Sequence, residues 1–153
     1  MAGRPILQLL IILTCLAAPP GARAELGGDV ASVRADAAQL NGVLQSLAAP
    51  PATGMSITID NGISVHEFVD AGGLVFAVRW SGPAVPDLRV LLGRFFTAYT
   101  AGLATLANPG RQRAIQVVSA DLVVRTGGHL RAYTGLAYLR DRIPPGTVIE
   151  NLP

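Results

Sequence analysis

Glu67 is a carboxylate set among apolar neighbours, and that makes it the side chain with most chemistry to offer. In Ile63-Ser64-Val65-His66-Glu67-Phe68-Val69 the strand alternation assigns it to the side of Ile63, Val65 and Val69. An ionised carboxylate buried alone is very costly. Glu67 must therefore meet an arginine, reach water at a strand end, or keep its proton and act as an acid or base. His66 and His129 are the only histidines. The alternation sends His66 to the other side, with Ser64, Phe68 and Arg79. No HxH, HxxxH or HExxH spacing is present, so no metal site is expected. Ser64, Ser81 and Ser119 supply hydroxyls, but no G-x-S-x-G elbow frames any of them, and no catalytic residue is assigned. A second group falls at residues 129–133. If Gly127-Gly128 is a two-residue hairpin turn, Thr126 pairs with His129, Val124 with Arg131 and Leu122 with Tyr133. His129, Arg131 and Tyr133 then share one face, an imidazole, a cation and an aromatic suited to a carboxylate, phosphate or sugar. The candidate ligand-binding residues are thus His129, Arg131, Tyr133 and Glu67, with no cofactor and no metal.

The whole chain narrows the chemistry further. It has 153 residues, half of them hydrophobic and 14% charged, which suits one domain with a substantial core rather than general disorder. All 12 basic residues are arginine, so a lysine Schiff base and a phosphate-cradling P-loop lysine are excluded. The lone cysteine, Cys15, excludes an intrachain disulfide, a cysteine zinc site and an iron–sulfur cluster.

That cysteine lies in an N-terminal address. Arg4 precedes an apolar run over residues 6–18, then Pro19-Pro20-Gly21 and the small-x-small exit Ala22-Arg23-Ala24. This pattern predicts a secretory signal peptide over residues 1–24, cleaved after Ala24. The run is too short for a stable span, and Leu13-Thr14 before Cys15 makes a poor lipobox. A cysteine-free domain over residues 25–153 remains, suited to an oxidising compartment, the periplasm or the cell exterior. Cleavage discards Arg4 and Arg23, so the formal net charge of +2 belongs to the leader. Residues 25–87 carry Arg34 and Arg79 against seven acids, and residues 88–153 carry eight arginines against Asp121, Asp141 and Glu150. The halves either pack together and pair these charges, or leave a basic face for an anionic envelope component. Nucleic acid is not expected, because the remaining chain is formally neutral and exported.

Periodicity then places the elements. Asp29 caps a helix over residues 30–48, with Val30, Val33, Ala37, Leu40, Leu44 and Leu47 on one stripe and a possible break at Gly42. Residues 49–54 read as a linker. A three-strand meander follows, with a three-residue loop Asp60-Asn61-Gly62 that sets Ile59 opposite Ile63 and Ile57 opposite Val65. A two-residue turn at Ala71-Gly72 pairs Glu67 with Phe76 and Val65 with Val78. A second helix runs over residues 88–107, polar enough on one side to pack on a core rather than span a membrane. A hairpin from residues 120–126 and 129–139 ends the sheet. The expected fold is α+β: a single antiparallel sheet of about five strands, the meander plus the C-terminal hairpin, with two helices packed on one face.

Val75-Phe76-Ala77-Val78-Arg79-Trp80-Ser81-Gly82-Pro83 with Pro86-Asp87-Leu88 and Leu91-Leu92-Gly93, Gly127-Gly128-His129-Leu130-Arg131-Ala132, Gly135-Leu136-Ala137-Tyr138-Leu139 and Leu26-Gly27-Gly28 carry a resemblance. Together they resemble an uncharacterised family of exported proteobacterial proteins, a domain of unknown function. The resemblance implies a small exported protein of Gram-negative bacteria and brings no activity, ligand or catalytic residue with it. The function expected is a non-enzymatic exported module that binds an envelope component or another exported protein. The alternative is a small periplasmic hydrolase using Glu67 and a histidine. A subunit that assembles through its sheet edge or the Phe95-Phe96 region is a third reading.

Overall fold

The computed structural model describes residues 26–50, 52–59, 61–107 and 113–153. The expected leader, residues 1–24, lies outside them. The order is α1 (Val30–Gln39), β1 (Gly42–Ala49), β2 (Ala52–Ile59), β3 (Ser64–Val69), β4 (Val75–Gly82), α2 (Leu88–Leu92), α3 (Phe96–Ala104), β5 (Ala114–Ser119), β6 (Leu122–His129) and β7 (Ala132–Leu139). The fold is α+β, as expected, with one antiparallel sheet. That sheet has seven strands, not about five, in the order β1-β2-β3-β4-β7-β6-β5.

One extra strand, β1, comes from the segment expected to be helical, and the other, β5, from residues to which no element is assigned above. Asp29 does cap α1, accepting from the Ser32 N–H at 2.8 Å, but the helix stops at Gln39. Asn41 then takes a left-handed φ of 52° and turns the chain into β1. Leu44 and Leu47, three apart, suit a helix stripe, yet in a strand they fall on opposite sides, and here each joins a different apolar cluster. The expected linker is largely strand: Ala49 ends β1, Ala52 to Gly54 belong to β2, and Ala49 lies opposite Ala52. Strand β5 precedes the expected C-terminal hairpin, and Ala120, at φ 46°, turns it into β6. The long second helix is broken at Gly93, whose φ of 46° and ψ of −120° lie outside the helical region.

The three-residue loop before β3 is present. Gly62 holds φ 82°, and the Ile59 N–H donates to the Ile63 carbonyl at 2.9 Å. Gly62→Ala should lose about 1 kcal/mol through that left-handed backbone alone, read as a lower urea midpoint with an unchanged slope.

The register between β3 and β4 is not the expected one. Val65 faces Trp80 and Glu67 faces Val78, with an irregularity at Phe68/Val69. The turn is longer than two residues, because Asp70 bonds both Gly73 and Leu74. Val75 and Val78 thereby share one side while Phe76 and Ala77 fall on the other. Phe76 is therefore not opposite Glu67.

Both faces of the sheet are covered. On one, Val33 and Ala37 of α1, Leu91 and Leu92 of α2 and Tyr99 of α3 pack on Ile57, Val65, Val78, Trp80, Val124 and Ala137. Gly102 lets α3 come down onto Val117 of β5, since a Cβ there would overlap that side chain. Residues 26–29 plug this layer. Leu26 is fully buried, and Gly27 donates to the Val75 carbonyl at 2.7 Å. On the other face, Ile143, Ile149 and Leu152 of the C-terminal segment pack on Phe68, Phe76, Ala77, Val123 and Tyr138.

Candidate functional site

Glu67 sits under α1 and is 1% exposed. Among the described residues no N–H or hydroxyl reaches its oxygens; the side chain it meets is Asp36, also 1% exposed. Of the three outcomes open from the sequence, neither an arginine among the described residues nor water at a strand end meets Glu67; its neighbour is a second carboxyl. Two carboxyls in contact bond only when one holds a proton, which it donates to the other. Burial pushes the Glu67 carboxyl from 4.5 up to about 7, and the hydrogen bond to Asp36 pulls it down, the smaller of the two effects. The sequence signal for Asp36 was its place three residues after Val33, on the buried side of α1. At 1% exposure neither group is open to a substrate.

The terminal histidine group is not assembled as expected. The β6–β7 turn lies at Leu130-Arg131, so His129 faces Ala132, Val124 faces Ala137 and Tyr133 faces Gly128. The register is set by extending both strands past Gly127-Gly128, which belong to β6. His129 and Arg131 stand exposed at the hairpin tip, with Arg131 at φ 66°. Tyr133 points to the helix side of the sheet, lining a hollow with Arg113, Ile115 and Thr126. The three do not share one face.

The register instead builds a polar row that the sequence reading missed. Gln45, Ser56, His66, Arg79, Leu136, Arg125 and Gln116 are successive cross-strand partners over all seven strands. The next row outward is Thr58, Ser64, Ser81, Thr134 and Gly127. Both lie on the face that carries the C-terminal segment, beyond its apolar cover. Hydroxyls in strands alternate with apolar residues in the sequence, but which ones line up depends on a register that no local pattern fixes.

His66 and Arg79 anchor this surface. His66 Nε2 lies 3.0 Å from Ser64 Oγ, and its Nδ1 lies 2.9 Å from the Pro153 backbone oxygen. Arg79 donates to the Leu152 carbonyl. Arg125 donates to Glu150 Oε1 at 3.0 Å and lies over the Tyr138 ring, 5.8 Å from its centre. That bond lowers the Glu150 pKa. Two adjoining hollows open here. One, about 100 Å³, is lined by Ser64, His66, Arg79, Ser81 and Thr134. The other, about 230 Å³, is lined by Arg79, Arg125, Thr134 and Leu136. No acidic side chain lines either one. Among the described residues, three further C-terminal arginines are engaged elsewhere: Arg89 lies over Phe96 and Arg94 over Phe95, 5.2 and 5.0 Å from the ring centres, while Arg140 donates to the Ala120 carbonyl.

Among the described residues no three metal-ligating side chains converge, and no helix is long and apolar enough to cross a membrane. A family model described as a protein of unknown function (DUF2844) matches residues 22–152. No curated protein and no solved structure matches.

Proposed function

Because the chain belongs to this family of unknown function, which brings no activity with it, we propose on its own geometry that it is an exported, non-enzymatic module binding an anionic group on an envelope component. Its binding surface is the open polar half of the sheet face, around Arg79 and Thr134. The observation that carries this reading is a pair of hollows framed by His66, Arg79, hydroxyls and the Glu150-paired Arg125, with no acidic side chain lining them. Guanidinium groups present several donors in a fixed fork, and hydroxyls complete the shell of an oxyanion. The leader pattern supports export, and the absence of cysteine beyond it suits that destination.

The hydrolase alternative draws less support. Glu67 faces α1 while His66, its neighbour in the chain, faces the opposite side of the same strand. His129 stands at a hairpin tip. Neither histidine meets Glu67.

The Thr134 side chain is exposed at the centre of the open half and lines both hollows. Thr134→Glu should therefore cut co-sedimentation of the chain with isolated cell envelopes at least tenfold while leaving the melting temperature within a few degrees. Ala101→Glu, on the exposed side of α3, should bind as the unaltered chain does. Equal binding by both variants would place the partner surface elsewhere.

A further inference from the structure

The polar row does more than border the C-terminal segment; it holds it at successive points. His66 takes Pro153, Arg79 takes Leu152 and Arg125 takes Glu150. Two of these three contacts are made to backbone oxygens. Arg79 is half-buried, and among the described residues its recorded partner is the neutral Leu152 carbonyl. Hydrogen bonds between a cation and an ionised oxygen are shorter and stronger than those to a neutral carbonyl. Around the same point the register sets His66 directly across from Arg79 and Ser81 directly across from Thr134. A fork of guanidinium donors, an imidazole and two hydroxyls outnumber what the two oxygens of a carboxylate can accept, and suit the three free oxygens of a phosphate group.

We propose that Arg79 and His66 form a phosphate-group site whose ligand competes with the backbone oxygens of Leu152 and Pro153. The C-terminal segment is then an internal stand-in for the ligand, and binding and release of that segment are one competition. This rests on the binding reading above and gives it a ligand class. What keeps the segment in place is its apolar seat, Ile149 and Leu152, both nearly buried against the Phe68 and Tyr138 layer. Weakening that seat without touching the cations should therefore favour the ligand.

The test is an NMR titration of the isotope-labelled chain with inorganic phosphate, beside co-sedimentation with phosphatidylglycerol and phosphatidylcholine vesicles. Phosphate should shift the signals of Arg79, Ser81 and Thr134, and of Leu152 as the displaced group. Arg79→Gln should weaken binding about tenfold or more. Leu152→Ala should tighten it several-fold, with circular dichroism showing a folded chain. If Arg79→Gln fails to fold, Thr134→Val removes one hydroxyl and should weaken binding a few-fold. Binding to free phosphate and to phosphatidylglycerol alike would mean that the group itself suffices. Binding to the anionic vesicles alone, still lost in Arg79→Gln or Thr134→Val, would identify a lipid headgroup as the source. Phosphate affinity unchanged or weaker in Leu152→Ala, but still dependent on Arg79, would overturn the stand-in and keep the site. Binding that ignores Arg79 and Thr134, or no binding to phosphate or to either vesicle, would overturn this site. Loss of envelope binding in Thr134→Glu would still stand for the broader reading.

Discussion

Glu67→Gln should abolish most of the pH dependence of stability between about 4.5 and about 7, and at pH 8 it should be more stable than the unaltered chain by up to roughly 3 kcal/mol. The sign follows from where the proton sits. Burial raises the folded-state pKa of Glu67 to about 7, above its value in the unfolded chain. In the window between the two values the folded chain holds a proton that the unfolded chain has lost, so stability falls as pH rises, and it levels off above the folded pKa. Glutamine keeps the shape, carries no charge, and can still donate an N–H to Asp36. Below pH 4.5 the two proteins should differ by no more than about 1 kcal/mol. Urea unfolding at several pH values would check this. A flat profile for the unaltered chain from pH 5 to pH 8 would mean that Glu67 and Asp36 share no proton. The dependence lies on the helix layer, so it is separate from any ligand titration on the opposite face.

Gly135→Ala should cost about 2–3 kcal/mol, because the added methyl group has no room. Gly135 faces Trp80 across the β4–β7 pairing, and a Cβ there would overlap the indole ring. Trp80 is 1% exposed and has strands on both sides, so the ring has little room to move. Trp80→Leu should be destabilising alone yet should offset part of the Gly135→Ala cost, giving a coupling of about 1 kcal/mol or more in a double-mutant cycle. Strict additivity would show that the two positions do not meet. The two motifs that carry the family resemblance, one around Trp80 and one around Gly135, are thus neighbours at the centre of the sheet.

Local chemistry was legible in the sequence where it is decided locally. The Asp29 cap, the Gly62 loop, the burial of Glu67 and the placing of His66 on the same side of the sheet as Arg79 rest on turn residues and alternation, and all are present. What failed depended on choices between equal patterns. Leu44 and Leu47 suit one helix stripe, and they equally suit the two sides of a strand covered on both faces; the strand prevails because β1 completes an edge beside β2. Gly127-Gly128 looked like a turn, yet it extends β6 because the turn forms at Leu130-Arg131. That shift of register is also why His129, Arg131 and Tyr133 separate. The polar row could not be read in advance, since its members lie on seven strands aligned only by the finished sheet.

The order β1-β2-β3-β4-β7-β6-β5 has a consequence for how the chain reaches its structure. Strands β1 to β4 are joined by short hairpins, and so are β5 to β7, so each half can zip up locally; only the β4–β7 seam joins residues far apart in the chain. Until residue 139 exists, β4 presents a bare edge. The same seam divides the charges: residues 25–87 carry two arginines and seven acids, residues 88–153 eight arginines and three acids. Opposite net charges draw the two half-sheets together over distances longer than any hydrogen bond, an attraction that salt screens. The imbalance along the chain thus acts on the rate at which the halves find one another, whatever it adds to the finished protein.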